Sequence, residues 1–159
     1  MKTLIIFYSR TGTTGKVASA LAGRLDADLV EIRCDRFRPG PIRYLSAGYH
    51  SVKGNLPEIE VPEIKGGYDL VLIGTPIWTS YPSLPVRAFL ANQPVLPDRL
   101  GLFVTYGGQS DPEIAFNGMA DALGHSVEGT LALKADQVEG PGYDEALDGF
   151  VEMLTKSEQ

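Results

Sequence analysis

Short, almost continuous apolar runs alternate along this chain with longer stretches of helical periodicity. The runs "TLIIFY" (3–8), "DLVEIR" (28–33), "DLVLIG" (69–74), "LGLFVTY" (100–106) and "SVEGTLALK" (126–134) predict five strands, most of them buried on both faces. Between the first two, Val17, Ala18, Leu21, Ala22 and Leu25 recur at helical spacing. "SLPVRAFLAN" (83–92) predicts a helix with Ser83 as its cap and Pro85 in its first turn. Residues 110–124 predict another, capped by Asp111, with Pro112 in the first position and Gly124 just past the end. Ala146, Leu147, Phe150, Val151 and Leu154 mark a last helix. In the segment 35–66, Ile42, Leu45, Tyr49 and Val52 form one stripe, Pro41 stands where a helix starts and Gly54 where one ends. This predicts a helix at about 41–53, followed by extended chain through "LPEIEVPEI".

Apolar strands alternating with helices predict an α/β fold, a parallel sheet with helices on both faces. In such sheets ligands bind beyond the carboxyl ends of the strands, where the strand order reverses. The 159 residues fit one domain, spanning 1–159, and can bury a sizeable core without covalent staples. A net charge of −6 argues against nucleic acid as a partner, since that requires a basic face. Cys34 is the only cysteine, which excludes an internal disulfide and a cysteine-rich metal site and points to a reducing, cytoplasmic setting. No apolar stretch approaches membrane-spanning length, and the N-terminal run is too short for a signal segment.

The chemistry gathers in three of the loops that follow strands. "SRTGTT" (9–14) leaves the first strand and enters the first helix. Amides at a helix start lack internal partners, and the helix dipole adds partial positive charge, so such a turn can hold a phosphate. Gly12 lets the backbone turn and approach the anion, while Ser9, Thr11, Thr13 and Thr14 offer hydroxyls. Neither G-x-x-x-x-G-K-[ST] nor G-x-G-x-x-G is present, because only two residues separate Gly12 from Gly15 and position 10 is Arg. "GTPIWTSYPSLP" (74–85) follows the third strand and carries Trp78, the only tryptophan; "TYGGQS" (105–110) follows the fourth and carries Tyr106. A phosphate turn and two aromatic loops on one sheet edge describe a site for a flat ring with a phosphate tail.

On these residues the chain resembles the flavodoxin-like family. Ser9-Arg10-Thr11-Gly12-Thr13-Thr14 matches the family's [Ser/Thr]-x-Thr-Gly-x-Thr signature at every fixed position, and "GTPIW" and "TYGGQ" are similar to its two flavin-flanking loops. The resemblance spans the chain. It implies a three-layer, doubly wound, five-stranded parallel sheet in the order 2-1-3-4-5, and noncovalently bound FMN. Ser9, Arg10, Thr11, Gly12, Thr13 and Thr14 would hold the phosphate. Thr75, Pro76, Ile77 and Trp78 would flank one face of the ring, and Thr105, Tyr106, Gly107, Gly108 and Gln109 the other face or the pyrimidine edge. It further implies electron transfer, either as a carrier between redox partner proteins or as a small reductase fed by NAD(P)H. Members of the family that carry single electrons often have a glycine in the first flavin loop, whose peptide flips; residues 75–85 contain none, so the comparison with the family implies paired electrons. The alternative is a flavodoxin fold that has lost its flavin and serves as a binding module.

Other features are weaker. Arg33, Arg36, Arg38 and Arg43 crowd into "RCDRFRPGPIR", either as solvated surface or as a site for an anion or a partner's carboxylates. His50 and His125 have no metal-ligand spacing around them and read as structural, Cys34 reads as a small filler, and no side chain is needed as a catalytic acid or base.

Overall fold

The computed structural model describes residues 1–37, 56–124 and 126–156. The predicted helix at 41–53, Arg38, Arg43, His50 and His125 lie outside the described residues. The strands are β1 (Thr3–Phe7), β2 (Asp28–Glu31), β3 (Leu70–Trp78), β4 (Tyr81–Pro82), β5 (Arg99–Tyr106) and β6 (Gly129–Lys134). The helices are α1 (Thr13–Leu25), α2 (Leu84–Ala91), α3 (Pro112–Leu123) and α4 (Tyr143–Lys156). The main sheet runs β2-β1-β3-β5-β6, all parallel, which is the expected order for the five long strands. The sixth strand, β4, is two residues long and pairs only with β3.

Alternate residues along each strand serve opposite faces, as a pleated backbone requires. Leu4, Ile6, Val71, Ile73, Leu102 and Val104 meet Val86 and Phe89 of α2 and Phe116 and Met119 of α3. Ile5, Phe7, Leu72, Phe103 and Leu133 meet Val17 and Leu21 of α1 and Leu147 and Phe150 of α4. The sheet is thus the middle of three layers. Close packing shows at Gly74, whose register partner across the sheet is Phe103. A Cβ at position 74 would collide with the Phe103 ring, so glycine is what lets that ring lie flat on the strand.

The predicted helix ends hold at α3. Asp111 Oδ1 accepts from the Glu113 amide at 3.0 Å, and Gly124 closes the helix at φ 77°. At α2 the position of Ser83 is as expected but its role is not. Its side chain makes no capping bond, and its hydroxyl pairs instead with that of Thr75 at 2.8 Å. The larger correction concerns the third strand. It runs to Trp78 rather than stopping at Gly74, so Thr75, Pro76, Ile77 and Trp78 are strand residues rather than loop. The chain then reverses through Thr79 (φ 50°) and Ser80 (φ 70°), pairing Trp78 with Tyr81 and Ile77 with Pro82. Two central residues with positive φ make the left-handed two-residue turn that suits a twisted hairpin.

Candidate functional site

The strand order reverses at β1, which has β2 on one side and β3 on the other. The carboxyl ends of β1, β3 and β5 therefore open onto one edge, and a cavity of about 420 Å³ lies there. Its walls come from all three expected segments. Arg10, Thr11, Thr13 and Thr14 come from the first, Pro76, Ile77, Trp78 and Thr79 from the second, and Thr105, Tyr106, Gly107 and Ser110 from the third. Ala135, just after β6, completes it.

The first segment is shaped by its own contacts. Gly12, at φ 101°, is the cap residue of α1 and takes a backbone conformation open mainly to glycine. Ser9 Oγ accepts from the amides of both Gly12 and Gly15, each at 3.1 Å. That clamp uses two of the amides at the helix start. Among the described residues, the amides of Thr13 and Thr14, in the first turn of α1, have no acceptor in the protein. The end of the cavity bounded by α1 is therefore rich in donors: two amides with helix-dipole charge behind them, the hydroxyls of Thr11 and Thr13, and Arg10.

The opposite end is apolar and aromatic. Trp78 is 8% exposed, and its ring meets Tyr8, the residue after β1, edge-to-face with centroids 5.8 Å apart. Tyr8 is itself buried, and its phenol lies well above the ordinary tyrosine range. Burial is the main cause; Cys34 and Glu31 add to it and Arg10 opposes it. Tyr8 thus stays neutral behind Trp78. The two threonines that join the segments are equally buried: Thr14 and Thr105 share a hydrogen bond of 2.7 Å across the base of the cavity.

Five expected site residues do not line this cavity. Ser9 and Gly12 face a wider, shallower cleft of about 790 Å³ on the other side of α1, crossed by the Lys16–Glu139 ion pair at 3.1 Å. Ser9 shapes the turn from there. Thr75 is fully buried, its hydroxyl accepting from the Ser83 amide at 3.0 Å, so it fastens α2 to β3 beneath the site. Gly108 (φ 62°) and Gln109 turn outward at the exposed tip of the third segment. Thr79, Ser110 and Ala135 were missed. Ser110 closes the quoted "TYGGQS" stretch, and Ala135 follows a strand that ends on the same edge, so those two had a signal in the sequence.

The remaining candidates stay apart from the cavity. Arg33 and Arg36 line a separate groove together with Asp35, Glu58 and Glu60, so the described half of the arginine cluster is mixed in charge. The Cys34 thiol reaches the Glu58 carbonyl at 3.6 Å. Among the described residues there is no cluster of metal-ligating side chains and no helix long and apolar enough to cross a membrane.

No family model and no curated protein sequence matches the chain. Solved structures do. A flavoprotein from Lactobacillus acidophilus NCFM, crystallised in complex with FMN, superposes with a TM-score of 0.72 at 26% identity, over 87% of this chain and 96% of that one. A protein from Bacteroides eggerthii DSM 20697 gives 0.70 at 21% identity, over 94% and 98% of the two chains. The flavodoxin of Streptococcus pneumonia TIGR4 gives 0.60 at 16% identity, over 99% of each. The sheet order, the Ser9–Thr14 signature in its turn and these neighbours agree: the chain has the flavodoxin-like fold.

Proposed function

We propose that the chain binds FMN noncovalently in the 420 Å³ cavity and works in electron transfer. The observation that carries this reading is the polarity of the cavity: unpartnered α1 amides and hydroxyls at one end, Trp78, Ile77, Pro76 and Tyr106 at the other. The residues fit the group. A phosphate needs several converging donors and a flat ring needs an apolar slot, and a volume of this size falls in the range of small-molecule sites. Bound flavin supplies the redox chemistry.

This chain's own residues bind and orient. The amides of Thr13 and Thr14 and the hydroxyls of Thr11 and Thr13 hold the phosphate, with Arg10 supplying positive charge. Trp78 and Tyr106 wall the ring and keep water from it, and Thr79 sits at the rim. No side chain acts as acid or base. The Thr79–Ser80 turn favours paired over single electrons. Both residues already hold positive φ, and flipping the peptide between them with the β3–β4 pairing in place puts Thr79 in a turn conformation that strongly favours glycine. The resulting reading is a small reductase, fed by NAD(P)H or a redox partner protein. A lone cysteine suits a reducing, cytoplasmic setting.

The test is reconstitution. Protein expressed in flavin-containing cells is yellow, and heat releases FMN and not FAD. Colourless protein whose tryptophan emission ignores added FMN overturns the reading in favour of a flavin-free binding module.

A further inference from the structure

We propose that Thr105 is a positioning residue that acts on the ligand's phosphate through Thr14, an inference that rests on the FMN reading. The two side chains come from segments 91 residues apart, are 2% and 3% exposed, and approach to 2.7 Å between hydroxyl oxygens. Each hydroxyl has one proton to donate. Two hydroxyls sharing one hydrogen bond therefore leave one proton over. Among the described residues neither side chain makes any other hydrogen bond. Both line the cavity, so the surplus proton finds its acceptor in whatever occupies it.

The pair has two settings. If Thr14 donates to Thr105, the surplus proton lies at the β5 end, beside Tyr106. If Thr105 donates to Thr14, it lies at the start of α1, beside the two unpartnered amides. An anion at the helix start selects the second setting. The partial positive charge there draws it in, and the Thr14 hydroxyl then donates to it. Thr105, donating to Thr14 from behind, polarises that bond and strengthens it. Thr105 thus sets the direction of a hydroxyl chain without touching the phosphate. It also ties β5 to α1, so the distance between the two ends of the cavity is held by side chains as well as by the sheet.

The experiment compares FMN with riboflavin, which lacks the phosphate, in the full chain carrying Thr14→Val, Thr105→Val, Thr105→Ser or Thr14→Val with Thr105→Val. Valine keeps the branched shape and removes the hydroxyl. Thr14→Val weakens FMN roughly 10- to 150-fold, as loss of a hydrogen bond to a charged group requires. Thr105→Val weakens it roughly 2- to 13-fold, as for a neutral bond, and leaves riboflavin unchanged. Thr105→Ser restores FMN binding, and the double variant is no weaker than Thr14→Val alone. Equal losses for FMN and riboflavin, losses that multiply in the double variant, or a serine that fails to rescue each overturn the proposal and leave Thr105 as a packing residue. Where riboflavin binds too weakly to titrate, the FMN cycle alone decides. A wild type that binds no FMN overturns the cofactor reading itself, and this inference with it.

Discussion

The ring of Trp78 stands at 87° to that of Tyr8, its edge-to-face partner, so the tryptophan is oriented by the strand next to its own. Trp78 is the only tryptophan and lines the cavity, which makes its emission a direct reporter of the site. Adding FMN to apoprotein quenches most of that emission. Tyr8→Phe keeps the edge contact and the quenching. Tyr8→Ala removes a buried ring, costs about 3–5 kcal/mol in a urea melt and lets Trp78 move. Emission that stays constant through the titration would place the ring elsewhere.

With a terminal phosphate at the donor-rich end, as proposed, FMN is expected to bind at least tens-fold tighter than FAD, measured by the same quenching. Ser9→Ala removes the acceptor for two amides at 3.1 Å and loosens the turn. At about 0.5–1.5 kcal/mol for each bond, FMN affinity falls roughly 5- to 150-fold. Ser19→Ala, exposed on α1, leaves it unchanged. Equal affinities for FMN and FAD would show that the amides do not hold the phosphate.

Gly74→Ala places a methyl group in the Phe103 ring and costs about 1–3 kcal/mol or more, read as a lower urea midpoint. Gly118→Ala is the control: the position is in α3, exposed, with nothing within 4 Å of a new Cβ. It stabilises by about 0.4–1 kcal/mol. Similar values for the two would mean that Phe103 does not rest on β3 as described.

The Thr79–Ser80 turn costs about 1–2 kcal/mol for each residue held at positive φ. Ser80→Gly relieves part of this and raises the thermal midpoint. In the wild type, stepwise reduction converts the flavin spectrum in one step, from oxidised to fully reduced. Two resolved steps would favour a single-electron carrier.

Alkaline stability follows from Tyr8. Its folded-state pKa lies above the unfolded value, so its contribution is complete below about pH 10 and is lost as pH rises beyond that. Urea midpoints at pH 8 and pH 11 show a steep decline for the wild type and a shallower one for Tyr8→Phe. Parallel declines would assign the effect to other groups.

The layers were legible because Leu4, Ile5, Ile6 and Phe7 alternate between two cores, and a run that is apolar at every position, this short and followed by a polar glycine-containing turn, reads as a strand covered on both sides. The Ser9–Thr14 turn was legible because a cap glycine and small hydroxyls are local requirements. The extension of β3 was not. Thr75-Pro76 reads as the start of a loop, since proline gives no ladder donor, and Thr-Ser is a poor signal for a left-handed turn. The Thr14–Thr105 and Thr75–Ser83 bonds depend on which strands end side by side, something no local pattern records.

The Ser9 clamp has a consequence for how the protein is made. A turn whose amides are gathered by a side chain of the same chain does not wait for its ligand to take shape. Loading is then a docking step onto a finished surface rather than the closing step of folding. On the FMN reading, chains made during a shortage of flavin are then expected to be ready to load when supply returns.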